Sequence, residues 1–207
     1  ALAIIKDSVS RLTTFINNIL DSAKIKAGKF DLHKAPTKAE DIVGDIGSLF
    51  EQAIIKQQKT IEVKIQENLP SICVDPDKIK QVIINLLGNA LKFTEAGAKM
   101  TIGARLVNKS VVATYRLKKE DIDLMAGVIG DFVEFSVADT GYGMSEHELG
   151  NIFDNFYHVC GTSPKKPKGT GLGLSIAADI VKLHHGVIGV ESEFGKGSTF
   201  KFVIPVA

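Results

Sequence analysis

The chain has 207 residues, with 25 Lys and Arg against 24 Asp and Glu, for a formal net charge of +1. Its 44% hydrophobic and 24% charged content is that of a soluble globular protein, one domain or one domain with an appendage. The charge balance gives no electrostatic reason to expect nucleic acid or a membrane surface as partner. The two cysteines, Cys73 and Cys160, sit in unrelated contexts, which argues against a disulfide framework and fits a reducing cytoplasm. No apolar run reaches bilayer-spanning length, and no signal peptide is seen.

The first predicted element is a helix over residues 2–27. Leu2, Ile5, Val9, Leu12, Ile16, Ile19 and Ala23 recur at alternating spacings of three and four, a heptad seam. Phe15 and Leu20 widen the stripe toward a bundle. Gly28 stands at a C-cap position. One amphipathic helix cannot bury this stripe alone, so it needs a second helix from a partner chain or from an upstream segment. The chain opens in mid-pattern, without Met or a cap, and reads as a piece of a longer protein.

Residues 29–38 read as an extended link carrying Pro36. A second helix is expected over 39–57, with Ile42, Val43, Ile46, Leu49, Phe50 and Ala53 on one side. Residues 60–66 alternate as a half-buried strand, and 71–74 form a short one. Asp75 and Pro76 then make an N-cap and N1 pair for a helix running to about Phe93. Residues 100–106 and 111–117 look like strands with Asn108 in the turn between them, followed by a long loop over 118–130. The next strand ends at Asp139. A helix is expected over 146–153, a Lys- and Pro-rich mobile stretch over 160–168, and a helix over 172–185 closed by Gly186. The end reads as a hairpin, 187–192 and 199–204. From about residue 36 the order predicts an α+β sandwich, a mixed or antiparallel sheet with helices on one face, rather than a doubly wound fold.

Three stretches carry chemistry. On the helix after Asp75, the apolar residues Ile79, Val82, Ile83, Leu86, Leu87 and Ala90 share one face. Asn85, Asn89 and Lys92 fall on another, at i, i+4 and i+7. Asn is a poor helix former. An isolated pair would be a solvated face; a row of amide oxygens with an ammonium also suits Mg²⁺ and nucleotide phosphates. At a strand end, Asp139-Thr140-Gly141-Tyr142-Gly143 reads either as a turn or as a carboxylate beside backbone that approaches a planar ligand closely. Gly169-Thr170-Gly171-Leu172-Gly173-Leu174 opens a helix and leaves N–H groups free for phosphate. It is neither the dinucleotide fingerprint nor a P-loop. Gly195-Lys196-Gly197-Ser198-Thr199 is most simply a hairpin turn.

In their order and spacing these stretches closely resemble the catalytic domain of sensor histidine kinases, within the superfamily that includes gyrase B, Hsp90 and MutL. Residues 81–94 (QVIINLLGNALKFT) are similar to the N box and 139–143 (DTGYG) to the first glycine box. Residues 152–156 (IFDNF) are similar to the F box, and 169–174 and 195–199 to the later glycine boxes. Residues 11–21 (RLTTFINNILD) with 26–29 (KAGK) resemble the second helix of a dimerisation and phosphotransfer hairpin. The implied organisation is that helix at 1–30 and a catalytic ATP-binding domain at 36–207.

The resemblance implies Asn89 as Mg²⁺ ligand, with Asn85 beside phosphates and metal and Lys92 on phosphate. It puts Phe93 against the adenine and Asp139 on the adenine amino group, with Gly141 and Gly143 shaping that pocket. Gly169, Thr170, Gly171, Leu172, Gly173 and Leu174 would wrap the phosphates under a lid from Tyr157 to Lys168, with Thr199 supporting the adenine site. It further implies ATP and Mg²⁺ as ligands, a response regulator as partner and a homodimer through the first helix. The setting would be cytoplasmic, in a sensor whose membrane segment, if any, lies upstream.

Three departures stand out. His158 replaces the arginine that usually follows the F box, so Lys165, Lys166 or Lys168 become candidates for the terminal phosphate. Lys80 stands where arginine is common. None of the five histidines sits in the acceptor motif. His147-Glu148-Leu149 begins like one, but Gly150-Asn151-Ile152 follows. Asn151 also stands where a zinc motif needs a second His. His184 and His185 read as complementing a helix dipole, and His33 suggests nothing. The expected function is transfer of the ATP γ-phosphate to a histidine outside this sequence. The alternatives are a hydrolytic relative, against which Asn85 stands where gyrase-like members carry Glu, and a degenerate partner-binding module.

Overall fold

The computed structural model describes residues 2–115, 130–157 and 170–206; in the first helix it describes the side chains of Val9 and of residues from 12 onward. His158, Cys160, Lys165, Lys166, Lys168, Gly169 and most of the loop at 118–130 lie outside the described residues.

Helix α1 spans Leu2–Lys26. The link after it ends in a short strand, β1 (Ala35–Thr37), which pairs antiparallel with β3 (Ile72–Val74), Pro36 lying opposite Cys73. The expected single helix over 39–57 is two, α2 (Ala39–Val43) and α3 (Ile46–Lys56). Glycines at 44 and 47 weaken helix propagation there, and the Ser48 hydroxyl bonds the Asp45 carbonyl across the break. Ile42, Val43 and Ile46 remain fully buried on either side of it.

The main sheet has strand order β2-β4-β5-β7-β6, from β2 (Thr60–Ile65), β4 (Lys99–Val107), β5 (Phe132–Asp139), β6 (Val187–Glu193) and β7 (Gly197–Pro205). β2 and β4 run parallel and the other neighbours antiparallel, so the sheet is mixed. Helices α4 (Pro76–Lys92) and α7 (Gly173–Leu183) pack on one face. The α4 residues Ile79, Val82, Ile83, Leu86 and Leu87 are fully buried against sheet residues such as Met100, Ile102, Phe135 and Phe202. Phe135 and Phe202 stack at 5.0 Å between ring centroids.

The sheet's opposite face has its own small cluster. The expected strand at 111–117 is instead a helical turn, α5 (Lys109–Val112). Asn108 is its N-cap, accepting from the Val111 N–H at 3.2 Å. One helical turn puts Val112 and Tyr115 onto Val107, Phe132, Val187 and Val203. Beside them Glu134, 3% exposed, receives a two-pronged hydrogen bond from Arg105 at 2.7 and 3.0 Å and one from the Tyr115 hydroxyl.

The expected helix at 146–153 is only α6 (Glu146–Leu149). A capping box of Ser145 and Glu148 starts it, and Gly150 ends it. Helix α7 closes at His185, which takes a left-handed φ of 59°, while the Gly186 N–H returns to the Val181 carbonyl. Among the described residues no helix is long and apolar enough to cross a membrane.

Candidate functional site

The site is organised by α4. Asp75 caps its N-terminus, accepting from the Lys78 N–H at 3.2 Å, and Pro76 occupies the first turn. The burial of the Ile79-to-Leu91 face leaves Asn85, Gly88, Asn89 and Lys92 as a row along another side. That row lines a cavity of 290 Å³. The Asn85 amide donates to the Gly173 carbonyl at 3.2 Å, which ties the row to the first turn of α7.

The far wall comes from the end of β5. The Asp139 carboxylate accepts from the Gly141 N–H at 2.8 Å. Burial pushes its pKa above the usual carboxylate range, and the Gly141 and Ser198 N–H groups pull it back. The Tyr142 N–H donates to the Phe93 carbonyl at 3.2 Å, and the Tyr142 carbonyl accepts from Gly195 at 2.7 Å. The loop therefore stitches the end of α4 to the tip of the β6–β7 hairpin. A side chain at Gly141 would stand 2.4 Å from the Phe93 carbonyl, and one at Gly143, whose φ is +62°, would stand 2.0 Å from the Glu193 carbonyl. Protein packing alone therefore demands glycine at both positions.

On α4 the Lys92 ammonium lies 4.9 Å from the centroid of the Phe93 ring, and burial holds its pKa below the ordinary lysine value. The cavity accordingly carries a carboxylate at one wall and a row of amides and an ammonium at another. Apolar surface comes from Ile84, Met144, Ile152, Leu174 and Phe200. This is the mixture expected of a pocket for a flat, partly apolar ligand with an anionic end.

The family described as histidine kinase-, DNA gyrase B-, and HSP90-like ATPases matches residues 74–207. The chain belongs to this family. The adaptive-response sensory kinase SasA of Synechococcus sp. (strain JA-3-3Ab) is 31% identical over 201 residues, covering 97% of this chain and 47% of SasA. The crystal structure of full-length ShkA in complex with AMPPNP superposes with a TM-score of 0.76 at 27% identity, covering 99% of this chain and 38% of that one. Histidine kinase ThkA, in complex with response regulator protein TrrA, superposes with a TM-score of 0.67 at 25% identity, covering 99% of this chain and 50% of that one. The chain spans less than half the length of the curated relatives it matches.

Within this histidine-kinase-type ATPase domain, the cavity gathers Asn85, Asn89, Lys92, Phe93, Asp139, Gly143, Tyr157, Thr170, Gly171, Gly173 and Leu174. Gly141 stays behind the wall. Leu172 turns into the core, 1% exposed. Thr199 does not line the cavity; strand alternation gives that place to Ser198 and Phe200. Lys168 and Gly169 lie outside the described residues. Gly88 was legible, since it falls between Asn85 and Lys92 on the same helical row. Tyr142, Met144 and Ile152 follow from the loop path and had no pattern of their own. Thr14 and Asn18 of α1 also line the cavity, and no spacing in the sequence signals that.

One further placement differs from expectation. His184 does not complement the helix dipole as a cation. It is 3% exposed, with Nδ1 2.8 Å from the Ile180 carbonyl and Nε2 accepting from the Asp75 N–H at 3.0 Å. Burial holds its pKa below the ordinary value. It is a neutral strut between the end of α7 and the start of α4. Cys73 is free and exposed.

Proposed function

We propose that the cavity binds Mg·ATP and that the domain transfers the terminal phosphate to a histidine outside this sequence, for relay to an aspartate of a response regulator. The observation that carries this is the meeting of the Asn85–Asn89–Lys92 row with Asp139 across one cavity. Phe93 lies about 12 Å along the helix from Asn85, at 1.5 Å per residue, a span suited to a base at one end and a terminal phosphate at the other. Asp139 accepts from the adenine amino group, and Phe93 packs against the ring. Asn85 and Lys92 meet phosphate oxygens, beside the first turn of α7. Thr170, Gly171, Gly173 and Leu174, with Tyr157, face the phosphates.

Asn89, with Asn85 beside it, fits Mg²⁺. Amide oxygens suit a hard cation that keeps several waters and shares phosphate oxygens, and the described residues hold no cluster of three carboxylate, histidine or cysteine ligands that would suggest another metal. When bound, the cation neutralises charge on the phosphates. The chain's own contribution is positioning and exclusion of water. The P–O bond to the β-phosphate breaks as a P–N bond forms to a neutral imidazole, and ADP leaves. The neutral imidazole is itself a nucleophile, so no strong base is needed. Asn85, where hydrolytic relatives carry Glu, fits transfer rather than hydrolysis.

In the same reading residues 36–207 are the catalytic domain and residues 1–30 the second helix of a dimerisation hairpin, set in the cytoplasm. Val9, Leu12, Ile16 and Ile19 stay 42–58% exposed, which supports a second copy on that seam. ThkA's complex with TrrA supports the regulator as partner. The test is incubation with γ-labelled ATP and a separate polypeptide carrying a kinase acceptor helix. Acid-labile label on its histidine is expected. Release of free phosphate alone would replace transfer with hydrolysis, and neither outcome would leave a binding module.

A further inference from the structure

Helix α1 contributes a wall to the cavity, although nothing in its heptad pattern points there. Thr14 and Asn18, one turn apart, both line it. Phe15 packs on the core, and the Asp21 carboxylate accepts from the Gln81 amide at 3.2 Å. α1 packs on α7, the Asp21–Gln81 bond ties it to the first half of α4, and its heptad seam is left outward. Asn18 is 8% exposed. Its amide is bonded to none of the described residues and opens into the cavity. Its amide atoms are open to the cavity rather than sealed within the protein, so a polar ligand there can be their partner.

Its place in the cavity says what that partner is. Gln81 bonds Asp21; one turn on along α4 come Ile84 and Asn85, and one turn back along α1 comes Asn18. All three line the cavity, at the end of the α4 row where Asn85 holds Gly173. That is the end assigned above to phosphate, and the inference rests on that reading. We infer that Asn18 is a ligand-binding residue, its amide N–H donating to the terminal phosphate of a bound nucleoside triphosphate, with Thr14 lining the wall one turn away. The site is then complete only while α1 is docked. A triphosphate holds the helix in place, and a diphosphate does not reach it.

Calorimetry on the full chain tests this, with a non-hydrolysable ATP analogue and with ADP, each with Mg²⁺. Asn18→Ala and Asn18→Leu are expected to weaken the analogue roughly ten- to hundredfold, the worth of one hydrogen bond to a charged group, and to leave ADP within about twofold. Asn17→Ala, on the exposed side of α1, is the control and changes neither. Hydrogen exchange of the α1 amides is expected to slow with the analogue and not with ADP. Unchanged affinity for both nucleotides in both variants overturns the inference while leaving the ATP site intact. So does equal weakening of both nucleotides, which would mean a general effect on the fold. If the unaltered chain binds no adenine nucleotide, the underlying reading fails with it.

Discussion

Asn89 lies one turn beyond Asn85 on α4 and just before Lys92, and lines the cavity with them; in the proposed reading its amide oxygen holds the cation. Asn89→Ala is expected to lower Mg-dependent affinity for an ATP analogue by about tenfold or more, about 1.4 kcal/mol, with the melting temperature unchanged. Normal Mg-dependent binding by the variant would remove Asn89 from the site. His184 makes a second prediction at this scale. Burial lowers its folded pKa, so the unfolded chain binds the proton more tightly. The stability of the strut is therefore complete above the unfolded pKa, about 6.5, and is lost as pH falls below it toward the folded value. Thermal melts from pH 7 to 5 should show this loss, and His184→Gln should flatten it. An unchanged slope would mean that His184 titrates normally. Asn89 was legible because its partners are on its own helix. His184 was misread as a dipole partner because Asp75, the residue it braces, is 109 positions away.

Helix α4 is the element on which the site is strung, and its far end is held from outside. The Lys59 ammonium donates to the carbonyls of Leu91 and Thr94 at 2.5 and 2.9 Å and to the Gln57 side chain at 2.7 Å. It thereby satisfies helix-terminal carbonyls on either side of Lys92 and Phe93. Lys59→Met should cost about 1–3 kcal/mol in a denaturant melt and weaken adenine nucleotide binding, while Lys59→Arg should restore part of both. A binding loss without any stability loss would contradict a capping role. Elements with strong local signals were readable: Asp75-Pro76 starts α4, and the period of Ile79, Val82, Ile83, Leu86 and Leu87 gives its buried face. Elements decided by distant packing were not. Residues 111–115 carry β-branched and aromatic side chains that suit a strand, yet the Asn108 cap and the apolar patch of Val107, Phe132 and Val203 draw them into a helical turn. β1 exists only because β3 lies beside it. Gly44 and Gly47, in turn, are the local reason that α2 and α3 are separate.

At the scale of the whole molecule, the mixed sheet carries the site on its helical face, and α1 presents two distinct sides. One side holds Phe15, Asn18 and Asp21 against the catalytic domain. The other leaves Val9, Leu12, Ile16 and Ile19 exposed. If that seam meets a second copy, Leu12→Glu with Ile16→Glu should convert a dimer to a monomer in sedimentation velocity without loss of nucleotide binding. A strictly monomeric unaltered chain at high concentration would contradict pairing by this seam alone. The sheet and the pocket-forming helix were legible from period and motif order. The docking of α1 was not, because it depends on tertiary contacts such as Gln81 with Asp21. The central claim, an adenine-selective Mg-dependent nucleotide site, is tested most directly by titration calorimetry of the full chain. The titrants are a non-hydrolysable ATP analogue with and without Mg²⁺, and GTP. The account predicts saturable binding of the ATP analogue that weakens when Mg²⁺ is removed and is much weaker for GTP. Equal binding of both bases, or no binding of either, would contradict it.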